Sequence, residues 1–264
     1  MSPETAASTD EVLYEVKDFV ARVTLNRPEK RNPLSPSVIG GLIAALERAK
    51  ADAAVRVVVI TGAGKVFSAG GDLSAMGGQG PGGGAGIAGT LPDLFLLITR
   101  VGKPVVAMVN GHALAGGCGL VAACHLAIAS EEAQLGTPEI NVGLWPMMIM
   151  AVIFRNVGRK RGLELVLSGD KISATEAASM GLLNRAVPAA KLEEETAALC
   201  AKLASKSPKI VELGLGGFHA TEDLPLGPAL AELQGRFLEV LSTEDAREGL
   251  MAFLQKRPPQ WTGR

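Results

Sequence analysis

The sequence is poor in aromatic residues and in net charge, and each shortage excludes a class of protein. Phenylalanine, tryptophan and tyrosine make up only 4% of the 264 residues. Aliphatic side chains must therefore form most of the core, which the 47% hydrophobic content allows. The formal net charge of −1 leaves no basic surplus to neutralise a nucleic-acid backbone. We expect no nucleic-acid partner, whereas a small anionic ligand needs only a local basic cluster.

Cysteines and long apolar runs are also scarce. The chain has three cysteines, an odd number without a C-x-x-C pair: Cys118, Cys124 and Cys200. This pattern predicts neither a disulfide framework nor a metal site, and it fits the reducing cytoplasm. The apolar run at residues 144–154 is too short to span a bilayer, and residues 1–10 lack the basic start of a signal peptide. We therefore expect a cytoplasmic protein with no membrane partner.

What the sequence does contain is an alternation of strand and helix patterns, followed by helices alone. The segments are a hairpin (12–16 and 20–25), a helix capped by Ser35 with Pro36 at its first position, strands (55–61, 105–109, 127–129 and 183–187), two buried helices (147–157 and 163–167) and a helix that begins with a capping box at Ser173 and ends at Gly181. This order predicts an α/β core with a helical C-terminal region. We expect a disordered tail at residues 1–10, the core at 11–198 and the helical region at 199–264.

The first candidate motif is the glycine turn in residues 67–73, which follows the predicted strand at 55–61. Adjacent Gly70 and Gly71 let the backbone approach a ligand and leave amides free to point at it. The glycines at positions 62 and 64, directly after this strand, resemble the start of the dinucleotide-binding fingerprint G-x-G-x-x-G. Phe67 stands where the third glycine is needed, so we reject a dinucleotide-binding site. The glycine-rich run that follows, at residues 77–89, is either a tolerated surface loop or a mobile cover of a nearby site.

The second motif, residues 110–120, is another strand that leads into a glycine-rich turn. The turn opens a helix predicted from Gly117 to His125. Amides at a helix start point outward with positive potential, which suits an oxyanion. The alternative is that these glycines serve close helix packing. The neighbouring His112 is interpreted as a structural histidine, because no nucleophile pattern accompanies it.

The third motif places one carboxylate, Glu139, among the apolar residues of 136–144. If this side chain is buried, its pKa rises and it can exchange protons near neutral pH. The alternative is an exposed glutamate on a loop. A wall of Trp145, Met147, Met148 and Met150 follows, and core packing is the ordinary explanation for its methionines.

In order and spacing, the three motifs resemble the enoyl-CoA hydratase/isomerase (crotonase) superfamily. The resemblance extends to Leu25-Asn26-Arg27-Pro28 followed by Asn32, to Lys103-Pro104-Val105, to Gly181-Leu182-Leu183-Asn184 and to Glu248–Phe253 with Lys256 and Arg257, and so covers roughly residues 11–263. It implies a spiral of ββα repeats with a C-terminal helical region that forms a homotrimer or homohexamer. It also implies an acyl-CoA thioester substrate from fatty acid metabolism and no separate cofactor, since coenzyme A is part of the substrate.

Carried over to this sequence, the resemblance assigns the two oxyanion-hole amides to Gly71 and Gly116. It assigns the acid/base to Glu139. The resemblance further implies an acyl-CoA site that includes Lys30, Arg31, Ala69, Gly71, Asp72, Leu73, Ser74, Trp145, Phe253 and Lys256. Of these, Lys30 or Arg31 would lie near the phosphates, and Phe253 with Lys256 would reach the coenzyme of a neighbouring subunit.

The sequence departs from the family pattern at the first of the two glutamates that hydratases use. That position is Gly119, which has no side chain, and position 147, the second acid of dienoyl-CoA isomerases, is Met147. One glutamate favours double-bond isomerisation through an enolate. Two alternatives stay open: syn hydration of a 2-enoyl-CoA with another group in place of the missing acid, and a non-catalytic acyl-CoA-binding or scaffold protein.

Overall fold

In the computed structural model, which describes residues 11–71 and 89–264, strands alternate with helices as far as Val187. The strands are β1 (Val12–Lys17), β2 (Val20–Leu25), β3 (Pro33–Leu34), β4 (Val57–Gly62), β5 (Val66–Ser68), β6 (Gly70–Gly71), β7 (Val105–Val109), β8 (His112–Leu114), β9 (Leu126–Ser130), β10 (Gln134–Gly136), β11 (Lys171–Ser173) and β12 (Arg185–Val187). The helices are α1 (Pro36–Ala51), α2 (Leu91–Arg100), α3 (Gly116–Ala123), α4 (Met147–Asn156), α5 (Arg159–Ser168), α6 (Ala174–Ser179), α7 (Leu192–Ala204), α8 (Pro208–Thr221), α9 (Leu226–Ser242) and α10 (Glu244–Leu254). Short 3₁₀ helices lie at Pro28–Lys30, Pro138–Val142 and Ala189–Lys191.

The main sheet has the strand order β1-β2-β4-β7-β9-β12 and is parallel except for the β1–β2 hairpin. Every residue of β4 and of β7 is buried, as continuous apolar strands at the centre of a covered parallel sheet should be. One face, with Val58 and Ile60, packs in the core cluster that includes α1, α2 and α3. The other face, with Val57 and Val59, packs against Leu192 and other residues of α7.

A second, smaller sheet has the order β11-β10-β8-β5. Three times the chain passes from a strand of the main sheet to the next strand of this sheet and then to a helix: β4 to β5, β7 to β8, and β9 to β10. This repeated ββα unit confirms the fold class expected from the resemblance. The turns that follow β5, β8 and β10 carry the three candidate motifs.

The C-terminal helices differ in how they attach to the core. Helix α7 packs on β4, β7 and β9, whereas α8 packs on α2 of the core and on α9 and α10. The domain boundary expected at residue 198 falls inside α7, whose residues Leu192, Cys200 and Ala204 bury themselves against the sheet. The helices that do not pack on the main sheet therefore begin at Pro208.

Several local predictions are confirmed. The hairpin, the strand at Val105–Val109, the Ser35 cap with Pro36 at the first helical position and the Ser173 cap all occur. Helix α3 begins at Gly116, one residue before the prediction. The predicted tail at residues 1–10, and residues 72–88 with most of the glycine-rich run, lie outside the described residues.

The prediction that residues 147–157 form a buried helix is only half right. Helix α4 is present, but Ile149 and Ile153, one turn apart, are its buried residues. The side chains of Met147 and Met148 are 62% and 50% exposed, so core packing is the wrong explanation for these two methionines. No helix within residues 11–71 and 89–264 is long and apolar enough to cross a bilayer.

Candidate functional site

The two glycine turns meet because β5 and β8 are parallel neighbours. Parallel strands present their carboxyl ends at one edge of a sheet, so the turns after both strands emerge side by side. A β-carbon built on Gly116 would lie 3.6 Å from the amide nitrogen of Gly71, and one built on Gly70 would lie 3.1 Å from the nitrogen of Gly116. Gly70 also has φ +95°, a conformation that L side chains rarely adopt. The two turns touch backbone to backbone, and at Gly70 a β-carbon would lie 2.5 Å from Cβ of Ala115 and 2.8 Å from the carbonyl oxygen of Leu114, so only glycine fits there.

Gly116 is the first residue of α3. The first amides of an α-helix have no partner within the helix and carry the positive end of its dipole. The turn before it is tight, since Ala115 has φ +50° and its amide is held by the carbonyl of Gly136 at 2.8 Å. The amide at position 116 therefore belongs to a helix start that lies against the Gly70–Gly71 turn.

Glu139 reaches the same sheet edge from β10, which pairs in parallel with β8. It lies in the 3₁₀ helix Pro138–Val142, whose end is closed by Gly143 in the left-handed conformation. The Oε2 atom of Glu139 is buried and has no hydrogen-bond partner among the described residues. Burial raises the pKa of this carboxyl, and a hydrogen bond to its own backbone partly offsets the rise. The interpretation of Glu139 as an exposed loop residue is therefore wrong.

Cys118 lies on α3, and its thiol is close enough to Glu139 to be influenced by the charge of that carboxylate. The side chain of Cys118 is fully buried, and burial, with a smaller contribution from the charge of Glu139, raises the pKa of its thiol to about 12, although a hydrogen bond with the backbone of Gly136 partly offsets the rise. A thiol with so high a pKa stays protonated and is no nucleophile at neutral pH. Cys118 thus acts as a small apolar neighbour of Glu139. All three cysteines are buried and free.

The space beside Gly119 is filled. A β-carbon built there would lie 2.6 Å from Cβ of Ile149 and 3.4 Å from Cζ of Phe95. Ile149 is on α4, which packs closely along α3, and Phe95 is on α2. Close helix packing, the alternative considered for the glycines of the second motif, is therefore confirmed for this position.

The other predicted binding residues are spread over three places. The backbone of Arg31 accepts a hydrogen bond from the amide of Ala69 at 2.9 Å, so the exposed side chains of Lys30 and Arg31 project from a loop beside the first glycine turn. The indole Nε1–H of Trp145 donates to Sδ of Met150 at 3.4 Å. Asp72, Leu73 and Ser74 lie outside the described residues.

Phe253 and Lys256, at the end of α10, are not packed on the site of their own chain. The side chain of Phe253 is 81% exposed, and Lys256 is exposed in the left-handed conformation. Helix α10 contacts α8 and α9. Their role toward a neighbouring subunit stays a prediction.

His112 is placed as the sequence interpretation expected, because its Nδ1 accepts a hydrogen bond from the amide of Gln134 at 3.0 Å. A second histidine group was not foreseen. His125 Nε2 lies 3.0 Å from His219 Nε2, and His219 Nδ1 lies 3.1 Å from Glu222 Oε1. This chain of side chains lines a cleft of about 1290 Å³ between α2, α4 and α8, whose lining residues do not include the three motifs.

Sequence reasoning missed the residues that surround the motifs. Phe95 and Ile149 gave no signal, because their contact with Gly119 depends on how three helices pack. Ser68 and Asn32 stand within the quoted motifs, but only the structure gives them hydrogen-bond partners.

Comparisons with known proteins agree with this fold. The family model for enoyl-CoA hydratase/isomerase matches residues 15–264. The human mitochondrial protein named enoyl-CoA hydratase domain-containing protein 3 is 37% identical over 246 residues, which cover 93% of this chain and 81% of that protein. The 2,3-dehydroadipyl-CoA hydratase of Escherichia coli K12 is 34% identical over 255 residues, 96% of this chain and 99% of that enzyme.

Solved structures are similar along nearly the whole chain. A crystal structure of an enoyl-CoA hydratase from Bacillus anthracis superposes with a TM-score of 0.91 at 32% sequence identity. The match covers 96% of this chain and 100% of that one. With the family model, the relatives and the repeated ββα units in agreement, this chain belongs to the enoyl-CoA hydratase/isomerase family.

Proposed function

We propose that this chain binds an acyl-CoA thioester, removes a proton beside the thioester carbonyl and stabilises the resulting enolate. Gly71 and Gly116 donate their amides to the carbonyl oxygen, and Glu139 carries the proton. The observation that supports this most is that three turns from parallel strands bring Gly71, Gly116 and a buried carboxyl oxygen to one sheet edge.

The two amides stabilise the charge that develops as the enolate forms. Donors fixed in advance in a water-poor site are far more effective than donors in water, and loss of one such donor costs roughly 3–4 kcal/mol of barrier. The close contact between the Gly70–Gly71 turn and the start of α3 supplies the required rigidity. The helix start adds positive potential at the amide of Gly116.

Glu139 moves the proton between two carbons. Its ionised carboxylate takes a proton from C2 of a 3-enoyl thioester, and the electrons of that C–H bond pass into the enolate. The same carboxyl then returns the proton to C4, so that the double bond moves to C2–C3 and no water is consumed. A raised pKa brings the carboxyl closer in acidity to the carbon acid it serves.

Isomerisation is favoured over hydration because of what occupies the space beside Gly119. A second acid there has no room while Ile149 and Phe95 stay in contact with the helix. These apolar side chains also leave no polar group at that position to hold a water molecule. Hydration remains the second candidate, since the relatives in Escherichia coli and Bacillus anthracis carry the name of hydratases.

Two substrates separate these reactions. Incubation with 3-hexenoyl-CoA should raise the absorbance of the conjugated enone, which marks isomerisation. Incubation with crotonyl-CoA should leave that absorbance unchanged, whereas a loss would mark hydration. Saturable binding of both thioesters without any turnover would instead favour a non-catalytic acyl-CoA-binding protein.

The basic loop before β3 is proposed to hold the phosphates of coenzyme A. Lys30 and Arg31 are exposed, and the hydrogen bond between Arg31 and Ala69 ties this loop to the first glycine turn. Exposed basic side chains can bind the flexible phosphate groups of coenzyme A. The proposed reaction requires no cofactor beyond the coenzyme A of the substrate. Replacement of Lys30 and Arg31 by alanine should raise KM and leave kcat nearly unchanged.

We further propose that a second and third copy of the chain cover the C-terminal helices. Helix α9 has no buried residue. Its large apolar side chains are exposed in the single chain: Leu226, Leu230, Leu233, Phe237, Leu238 and Leu241. An apolar surface of this kind marks a protein interface. Sedimentation of the purified protein should give the mass of a trimer or hexamer.

We propose the cytoplasm as the location of this protein.

A further inference from the structure

We infer that Ser68 is a positioning residue of the enolate site. It holds the two glycine turns in register without touching the substrate. The inference rests on the proposed function. Ser68 ends β5, two residues before Gly70, and its side chain is completely buried. A buried hydroxyl without partners would be costly, so its bonds define its role.

The hydroxyl of Ser68 makes two hydrogen bonds. It donates to the backbone carbonyl of Asn32 at 2.8 Å and accepts from the amide of Gly70 at 3.2 Å. The amide of Gly70 directly precedes the peptide that carries the proposed donor at Gly71. The hydroxyl therefore fixes the orientation of the first turn.

Ser68 also contacts the second turn. A β-carbon built on Gly117 would lie 2.7 Å from Cβ and 2.7 Å from the carbonyl oxygen of Ser68. Gly117 thus rests directly on Ser68, one residue after the proposed donor at Gly116. One small residue is in contact with the neighbours of both amides.

Asn32 supplies the fixed support for this arrangement. Its side chain is buried, accepts from the amide of Arg27 at 2.8 Å and donates to the carbonyls of Ala63 and Val66 at 3.0 and 2.7 Å. The left-handed backbone of Asn32, with φ +52°, aims its carbonyl at Ser68. The Ser68 hydroxyl is thus joined directly to the turn at Gly70 and, through Asn32, to the backbone at Arg27 and at residues 63–66.

A residue that only stabilises the fold would lower the amount of folded protein and leave the enolate chemistry of the folded fraction intact. Ser207 provides a matched control. It is buried, its hydroxyl accepts from the amide of Ile210 at 3.0 Å and donates to Asp245 at 2.5 Å, and it caps α8 in the C-terminal region. Ser68→Ala and Ser207→Ala therefore remove the same kind of group from two places.

The test compares the two variants, at equal concentrations of folded protein, by their kcat and KM for 3-hexenoyl-CoA and by their binding of acetoacetyl-CoA. The enolate of this β-keto thioester absorbs in the near ultraviolet, so it reports stabilisation of the oxyanion directly. We expect Ser68→Ala to lower kcat at least tenfold with less than a twofold change in KM. Bound acetoacetyl-CoA should form its enolate in this variant only at a tenfold lower proton concentration than in the wild type. Ser207→Ala should match the wild type in both.

Equal behaviour of the two variants, with an active wild type, overturns the role of Ser68 alone. A wild type that neither turns over the thioester nor forms the bound enolate overturns the proposed function and the inference together. If Ser68→Ala does not fold, Ser68→Cys, which keeps the shape but bonds more weakly, is held to the same criterion.

Discussion

Ile149 lies where a side chain at position 119 would have to go. Its Cβ is 2.6 Å from the β-carbon that any residue other than glycine would carry at that position, although thirty residues separate the two in the chain. The contact joins α4 to α3 and explains the glycine by packing. It also closes the place that a second catalytic acid would need.

Gly119→Ala should therefore destabilise the protein by about 1–3 kcal/mol, the usual cost of overpacking a core. Ile149→Ala removes the side chain that the new β-carbon would strike. The double variant should therefore lose less stability than the sum of the two single losses. Denaturant unfolding measures both. The control is Gly214→Ala on α8, where nothing lies within 4 Å of the new β-carbon and helix propensity favours alanine by up to about 1 kcal/mol.

Replacement of the proposed acid/base gives the second prediction. Glu139→Gln keeps the shape of the side chain and removes its proton exchange, so kcat for 3-hexenoyl-CoA should fall roughly 100- to 10,000-fold. Binding of a saturated acyl-CoA should persist. The control, Glu132→Gln, changes an exposed glutamate in the turn before β10. Unchanged turnover in the Glu139 variant would remove this residue from the mechanism.

The same variant should be at least as stable as the wild type near neutral pH. Burial raises the pKa of Glu139 above its unfolded value, so the folded state favours the protonated carboxyl. That contribution to stability is complete below the unfolded pKa and is lost as the pH rises through the folded pKa. Melting temperatures of wild type and Glu139→Gln should therefore converge in acid, and a wild type that is much the more stable at pH 8 would contradict this.

Acid should weaken the attachment of α8 to the core through His125. Burial, and secondarily the charge of His219, lower the pKa of His125 to about 4, and its Nδ1 accepts from the amide of Val105. Because the folded pKa is depressed, protonation favours unfolding, and stability should fall as the pH drops from about 6.5 to about 4. The loss is about 3 kcal/mol at about 1.4 kcal/mol for each pH unit. His125→Phe should flatten this pH dependence in denaturant unfolding, and an unaltered slope would contradict the assignment.

Long or strongly patterned elements were predictable from the sequence. The strand at Val105–Val109 is a continuous buried apolar run, and the β1–β2 hairpin turns where the pattern breaks at Asp18. Helix α2 was missed although its capping box, Thr90 with Asp93, stands in the sequence. The three-residue strands β5, β8 and β10 are too short for any periodicity to reveal.

The site was predictable only where the motif itself carries the chemistry. The resemblance assigns roles to Gly71, Gly116 and Glu139, and parallel strand pairing brings the three turns that carry them to one edge. The partners that shape the site could not be named. The contact between Ile149 and Gly119, like that between Ser68 and Gly117, depends on tertiary packing, which no local pattern encodes.

The transfer of a labelled proton tests single-carboxylate enolate chemistry most directly. 3-Hexenoyl-CoA carrying deuterium at C2 is incubated with the protein, and the product is analysed by mass spectrometry and nuclear magnetic resonance. We predict 2-hexenoyl-CoA with part of the deuterium at C4, delivered by the same carboxyl that removed it from C2. A 3-hydroxyacyl-CoA as the first product, or complete recovery of unchanged thioester, would contradict it.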